Sequence, residues 1–586
     1  MPESVPFRSV RFGPRNKLKA ASQTCIAVLA LSAALVAASS PAMAQQAIPP
    51  SAEAPRAQDQ VPAPYAITVP APSAAADIAP QRTPDGAESV TFTLQSITIE
   101  GMSAYTPSAI APLYEAQIGQ VVTLADMFAL AQAITRRYRA DGYILSQAVV
   151  PQQTIENGAV TLRVVEGFFS AVTLEGVDET SLLGKRIRRM TNRLSAERPV
   201  TAATMEHTLL VVNDIPGLRA RSVISPSQTI AGGADLMIVI EDDILSGQVA
   251  IDNFGSRYLG PVQLSNTTHI SNALGYGERI TGQIVSAPAH SEMLYGYAAF
   301  QTPIGSQGTV FGVDATYSDT APGYTLDPFD VEGFSTVFGG GFKHSFIRSR
   351  EENLFGRLRF DWRKASSKST IDITRTDRVA SLRLGGDYQR VDTLWNIAVN
   401  SLSFDLSKGV GLFGTSDKND PTLSRANGDP RHTKAELEVE RLQKIADDWT
   451  ALAVIRGQIA SHALLSAEEF GVGGHGLGRG YSPSEITGDN GFAGSFELQW
   501  ASPQMHGEVM NRPQFFAFYD FGKVWNKSEV ASVQKKDSLA STGFGLRTGL
   551  LNTVNTEVSV ALPLTRDVAT SGDREVTVYF TLSVPY

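Results

Sequence analysis

The chain has 586 residues, 42% of them hydrophobic, with a net charge of −9, 50 glycines and a single cysteine. An acidic balance of this kind gives a phosphate backbone no basic footprint, which excludes nucleic acid as the principal partner. One cysteine excludes a disulfide framework and a cysteine-built metal site.

Met1–Ala44 reads as a secretory signal. Arg8, Arg11, Arg15, Lys17 and Lys19 precede an apolar core from Cys25 to Ala38, and Ala42-Met43-Ala44 makes a small-residue cleavage site. That core is too short for a membrane helix. Its removal leaves 45 basic against 58 acidic residues, a charge of −13, and takes Cys25 with it. Residues 45–88 are rich in Pro and Ala without helical or strand period, and read as a disordered linker. No amphipathic helix is legible in them.

From Phe92 one pattern appears twice. Phe92, Leu94, Ile97 and Ile99 alternate into Glu100-Gly101, and Thr106-Pro107 offers a cap and a first-turn proline. A second helix opens at Thr123, with Asp126 three residues on, and stops at Gly142. Strands near 144–150 and 160–166 close the unit, which spans 89–167. The repeat, 168–243, has a strand through Leu174, helices near 181–190 and 202–212, and strands near 220–225 and 235–240. Past Asp243 the helices stop. Residues 244–586 divide into about sixteen alternating segments of roughly 21 residues with their turns, the weak signature of a membrane barrel. The last is the clearest. Val576, Val578, Phe580, Leu582, Val584 and Tyr586 share one face, and Thr577, Tyr579, Thr581 and Ser583 the other. Pro585, a residue without an N–H, is expected to weaken the final ladder.

Between two of these segments lies FGVGGHGLGRGYSPSEITGDN, Phe470–Asn490, within a loop at about 460–490. The glycines permit tight turns and close approach. Gly471, Gly473 and Gly476 match a dinucleotide fingerprint, but Arg479-Gly480-Tyr481-Ser482-Pro483 cannot open the helix that such a site needs. Some forty residues on, Phe516, Phe518, Asp520 and Gly522 share one strand face. In a lipid-embedded barrel the face with a carboxylate is the inside. An internal carboxylate favours a guanidinium, whose planar fork matches it.

R-G-Y on a glycine-rich loop with F-x-D-x-G two strands later resembles the two-partner secretion transporters, the haemolysin secretion/activation proteins. GYILSQAVVPQQTIENGAVTLRVVEG, LLVVNDIPG, GGADLMIVIE and DNFGSRYLG resemble the same family's POTRA domains and barrel entry. Gly478 stands where the family usually has valine. The resemblance implies two α+β periplasmic POTRA domains followed by an all-β, 16-stranded antiparallel transmembrane barrel in the outer membrane of a Gram-negative-type bacterium. It implies a loop–barrel clamp of Arg479, Gly480, Tyr481, Phe518, Asp520 and Gly522. It also implies Phe580 and Tyr586 as the terminal assembly signal, read by the barrel assembly machinery. The function implied is export of a large β-rich partner protein, with outer-membrane lipid around the barrel. A POTRA sheet edge captures extended chains by strand addition, and Ile224 and Ile238 are candidate positions for it. An insertase of the same superfamily, or a passive porin, remains an alternative. No cofactor, metal or catalytic step is expected, for no H-E-x-x-H, G-x-S-x-G or P-loop occurs. Glu468-Glu469 is not a ready acid/base dyad. His475 has no second ligand beside it and is expected to be solvated. Trp362, Trp395, Trp449, Trp500 and Trp525 are expected to anchor the membrane interface.

Overall fold

The computed structural model describes residues 48–61, 81–230, 232–287, 292–370, 373–501, 505, 507, 510–527, 535–551 and 553–586. The signal sequence expected at 1–44 lies outside them. None of the described helices is long and apolar enough to cross a membrane.

The first unit contains β1 (Thr91–Thr93), β2 (Ser96–Glu100), α1 (Pro107–Ile110), β3 (Val121–Thr123), α2 (Leu124–Ala140), β4 (Gln147–Val149) and β5 (Ala159–Val165). Its main sheet runs β2-β5-β4, parallel between β2 and β5 and antiparallel between β5 and β4. Thr123 accepts from the Asp126 N–H at 3.1 Å while Asp126 accepts from the Thr123 N–H at 2.7 Å, so two first-turn donors of α2 are satisfied reciprocally. Below that cap Met127, Leu130, Ile134 and Tyr138 lie one turn apart and bury against Val160, Leu162 and Val164. The helix opened by Pro107 lasts one turn and continues as 3₁₀ turns to Gln117.

The second unit has β6 (Phe168–Glu175), α3 (Leu182–Ala196), α4 (Ala202–Asn213), β7 (Leu218–Pro226) and β8 (Gly233–Asp242), with strand order β6-β8-β7. Ser181 and Thr201 cap the two helices. Ile187, Met190 and Leu194 of α3 and Val211 and Val212 of α4 cover Leu236, Ile238 and Ile240. Ile238 is therefore core: it lies on the central strand, fully buried, and cannot meet a cargo chain. Ile224 lies on β7, an edge strand whose Arg219, Arg221 and Val223 face solvent.

Sixteen antiparallel strands then close into a barrel. They begin with β9 (Leu245–Asp252), β10 (Gln263–Ser271), β11 (Arg279–Ser286), β12 (Met293–Ile304), β13 (Thr309–Thr320) and β14 (Glu332–Arg348). Next come β15 (Glu352–Lys368), β16 (Arg375–Asp392), β17 (Ala398–Val410), β18 (Thr433–Lys444) and β19 (Trp449–Ala460). The 461–489 loop carries its own short pair, β20 (Phe470–Val472) and β21 (Ile486–Gly488). The wall resumes with β22 (Asn490–Trp500), β23 (Met510–Trp525), β24 (Lys536–Leu550), β25 (Val554–Pro563) and β26 (Thr577–Pro585). Side chains alternate across the wall, Leu382 and Leu384 pointing out while Ser381 and Arg383 point in.

The seam between β26 and β9 has five register pairs, Thr581↔Asp252 to Pro585↔Gln248. Pro585 does not weaken it. The bonded pair there is Gly247 with Tyr586, each N–H meeting the other's carbonyl at 2.9 Å. Pro585 falls at the intervening position, beyond the last β25 partner at Ser583, so neither neighbour would take its N–H. The Tyr586 hydroxyl reaches across Gly247 to Thr268 at 2.5 Å.

The second unit is fastened to the near mouth of the barrel. Arg348 forks onto Asp214 at 2.9 and 2.7 Å, and the Arg350 N–H donates to Glu206 at 2.6 Å. His207 Nδ1 lies 3.3 Å from the Arg348 carbonyl.

Residues 48–61 correct the reading of 45–88 as disordered throughout. Two 3₁₀ segments, Pro50–Ala52 and Ala54–Gln60, lie inside the barrel toward the far mouth. Ser256 donates to Gln60 Oε1 and the Ser51 carbonyl at 2.9 and 2.8 Å, and Ser318 donates to the Ala54 carbonyl at 2.7 Å. Backbone groups freed by the lack of α-helix thus find partners on the wall.

Candidate functional site

The 461–489 loop folds back into the lumen, and its tip is built around Arg479. The guanidinium meets Asp520 through Nε at 2.9 Å and Nη2 at 2.8 Å. Its Nη1 reaches Glu497 at 2.7 Å and its Nη2 also reaches Ser495 at 2.9 Å. The ring of Phe518 lies under it, 3.5 Å from Cζ to the centroid, in cation–π geometry. Asp520 further accepts the N–H groups of Gly478 and Arg479 and the Ser495 hydroxyl, so its lone pairs are saturated. All of this is dry: Arg479 is 2% exposed and Asp520 0%.

The ion pairs continue along the wall. Arg547 reaches Glu497 at 2.5 Å and Glu557 at 2.8 Å, and stacks on Phe516. His475 Nε2 lies 3.2 Å from Glu557 and its ring packs at 3.9 Å on Phe254, so it is not the solvated loop histidine expected. Opposite charges alternate from Asp520 through Arg479, Glu497 and Arg547 to Glu557. Each buried charge has a partner of the other sign, which offsets the desolvation that an isolated one would suffer.

The neighbours of Arg479 fix the backbone. Tyr481, 1% exposed, donates its hydroxyl to the Ala540 carbonyl at 3.1 Å and accepts from the Thr565 and Arg566 N–H groups. The Gly480 N–H donates to the Tyr579 hydroxyl at 3.3 Å. Gly478 has φ +97°, a conformation that a β-branched residue rarely adopts, so valine does not fit here without a different local turn. Gly522 has a separate reason. A Cβ there would lie 2.5 Å from Val472, because β20 packs flat on the inner face of β23.

The base of the loop is held by a second cluster. Glu468 pairs with Arg383 and Lys434 at 3.1 Å each, and Arg425 pairs with Glu469 at 2.8 Å and Asp489 at 2.6 Å. The segment 48–61 joins here: Arg56 donates to the carbonyls of Ser466 at 2.5 Å and Glu469 at 3.2 Å. Beside it a cavity of about 660 Å³ remains, lined by Arg56, Tyr297, Arg359, Arg383 and Gly473 among others. Its wall continues the ladder, Arg359 on Asp314 at 2.7 Å and Asp361 at 2.6 Å. Such a surface is polar and charged.

Of the residues predicted for the clamp, the structure brings Arg479, Gly480, Tyr481, Phe518, Asp520 and Gly522 together, while Ile224, Ile238, Phe580 and Tyr586 lie elsewhere. Glu497, Ser495, Arg547, Glu557 and Arg56 escaped sequence reasoning. A register argument finds the first two, since Ser495 is the cross-strand partner of Asp520 and Glu497 that of Phe518.

Comparison with known proteins agrees with this architecture. Residues 232–548 match the model of the haemolysin secretion/activation protein ShlB/FhaC/HecB family, and residues 92–167 match the ShlB-type POTRA domain. The heme/hemopexin transporter protein HuxB of Haemophilus influenzae is 26% identical over 459 residues, covering 77% of this chain and 80% of that protein. The outer membrane transporter CdiB of Escherichia coli is 22% identical over 436 residues, 71% of this chain and 70% of that one. The solved structure of CdiB from Escherichia coli superposes with a TM-score of 0.67 at 21% identity, covering 87% of this chain and 94% of that one. BamA from Haemophilus ducreyi lacking POTRA domains 1–3 gives 0.53 at 12% identity over 84% of this chain and 100% of that one, a likeness of fold. With its periplasmic POTRA domains and its closed 16-stranded barrel in the outer membrane, the chain belongs to the haemolysin secretion/activation family of two-partner secretion transporters.

Proposed function

We propose that this transporter exports one large β-rich partner protein, of adhesin or haemolysin type, which crosses the barrel lumen as an extended chain. The observation that carries the reading is the lumen itself. It is filled by a loop and an N-terminal segment whose charged anchors are ion pairs and hydrogen bonds, which water can replace, beside separate apolar clusters around Val472 and Ala57. Sixteen strands close around this filling by their own ladders, so the filling can yield while the wall stands. The cargo is captured first at the edge of β7 past Ala220, whose own backbone groups are held by Asn213, where the outer backbone groups accept an added strand. The periplasm holds no ATP, so net movement comes from folding of the cargo outside. The bilayer solvates the apolar outer face, and Phe580 and Tyr586 serve recognition during assembly. Transport proceeds without a catalytic step.

Cells lacking the chain should retain the partner in the periplasm while other outer-membrane proteins assemble normally. The five-pair seam between β26 and β9, the shortest junction of the barrel, favours one rival, strand insertion by a superfamily insertase. A general loss of outer-membrane proteins in the same cells would favour that rival instead.

A further inference from the structure

On the outer face of the barrel, at the rim away from the POTRA domains, two cations oppose each other. The outward column of β15 reads Leu354, Leu358, Phe360, Trp362 and then Lys364. That of β16 descends through Arg378, Ala380, Leu382 and Leu384. Lys364 and Arg378 are direct cross-strand partners. Directly opposed residues hold their Cβ atoms about 4.5–5.5 Å apart, and like charges in that position destabilise a sheet. Neither residue makes an ion pair among the described residues. Lys364 Nζ lies over the Phe334 ring at 5.2 Å, and Asp420, the acid whose field Arg378 shares, takes its own hydrogen bonds from the Thr422 N–H at 2.9 Å and hydroxyl at 2.7 Å. The like-charged pair at the edge of the apolar band thus has no anion in direct contact among the described residues.

The loop after β17 supplies the other half of a site. Leu412 and Phe413 are 52% and 73% exposed, and Phe413 holds φ +53°, a left-handed backbone uncommon for a bulky residue. That turn lays the loop over the outside of the wall: the Phe413 ring packs edge-on to Phe360 at 5.7 Å, and its carbonyl accepts from Trp362 Nε1 at 3.1 Å. The Ser416 N–H then donates to the Arg378 carbonyl at 2.9 Å, tying the loop to the basic pair. An exposed Leu-Phe tip on the lipid side of the rim, below two adjacent cations, matches a molecule with acyl chains beneath an anionic headgroup.

We propose that Lys364 and Arg378, with Trp362 and Phe413, form a docking site for the phosphorylated glycolipid of the outer leaflet. One phosphate bridges the ammonium and the guanidinium, and acyl chains lie along Trp362, Phe360 and the Leu412–Phe413 tip. Charge-assisted bonds to phosphate turn the cross-strand repulsion into a contact. The site fixes the loop after β17 against the membrane and orients the barrel in an asymmetric bilayer.

The test uses the full chain purified in detergent and titrated with diphosphoryl lipid A, dephosphorylated lipid A or inorganic phosphate. The unaltered protein should bind diphosphoryl lipid A about tenfold or more tightly than the dephosphorylated form, and millimolar inorganic phosphate should not displace it. The double variant Lys364→Gln/Arg378→Gln should lose that preference, while Arg574→Gln, in another exposed loop, should keep it. Heat-modifiable migration on gels checks that each variant is a closed barrel. If the double variant fails to close, the comparison of the two lipids on the unaltered protein still decides. Equal binding of the two lipids, displacement by inorganic phosphate, or a double variant that closes and still prefers the phosphorylated lipid overturns the site.

Discussion

Replacing Arg479 by alanine removes one guanidinium from a site where Arg479 and Glu497 are each 2% exposed and Asp520 0%. Breaking a buried pair by deleting one partner costs on the order of 3–5 kcal/mol, because the remaining charge is stranded. Here the stranding is incomplete. Asp520 keeps two backbone N–H donors and the Ser495 hydroxyl, and Glu497 keeps Arg547. The expected loss is therefore at the low end, about 3 kcal/mol, or roughly a hundredfold in the docking equilibrium of the loop. Arg479→Lys keeps the charge but only one prong of the fork, and should lose about 1–2 kcal/mol. The sole cysteine, Cys25, lies in the expected signal sequence, so one introduced thiol reports alone. Leu477 is 7% exposed at the loop tip. A Leu477→Cys chain should resist a membrane-impermeant maleimide on intact cells and react readily once Arg479→Ala is added. Asp520→Ala should be non-additive with Arg479→Ala, since the two sever the same contact. Unchanged labelling, together with normal secretion by both Arg479 variants, would show that the clamp does not hold the loop.

Gly522→Ala should loosen the loop as well, because its Cβ would meet Val472 at 2.5 Å; raised protease sensitivity of 461–489 in a heat-modifiable barrel is the readout. Ile238→Ala should destabilise the second POTRA domain by about 2–5 kcal/mol through a core cavity, seen as a lower melting transition. Ile224→Pro, on the edge strand, should instead lower cargo capture while leaving that transition nearly in place. Burial, reinforced by the Arg193 charge, holds His207 below its usual value of 6.5, with the Arg348 carbonyl and Asp214 opposing. Docking of α4 on the 349–351 turn is then at full strength above about pH 6.5 and is lost as pH falls through the lowered value. Hydrogen exchange of 202–213 should accelerate on acidification, and His207→Gln should flatten that dependence.

Regular elements were legible because their periods are. The face shared by Val578, Phe580, Leu582 and Val584 marks β26, and the Thr123–Asp126 spacing marks the start of α2. The glycine loop and the carboxylate of β23 stood out because each violates its surroundings, a cation among glycines and an acid among phenylalanines. What stayed hidden depends on partners far apart in the chain. Arg56 binds carbonyls about 410 residues away, and its 3₁₀ segments have no period to read. Arg547 and Glu557 look like ordinary lumen charges until His475 and Glu497 reach them. The harmless placement of Pro585 is invisible in sequence because the bonded and non-bonded positions of a ladder depend on its register. Pro107 opens only a single turn because Pro112 follows within the same stretch and interrupts the α-helical ladder.

The central claim is that cargo crosses the lumen. Photoreactive residues at the inward positions Tyr297 and Ser381 and at their outward neighbours Phe300 and Leu382 test it on cells exporting a partner stalled by a folded C-terminal fusion. The account predicts crosslinks to the stalled partner from Tyr297 and Ser381 and none from Phe300 or Leu382. Crosslinks confined to outward positions, or to the β26–β9 seam when it is probed at Val584 and Val249, would contradict it.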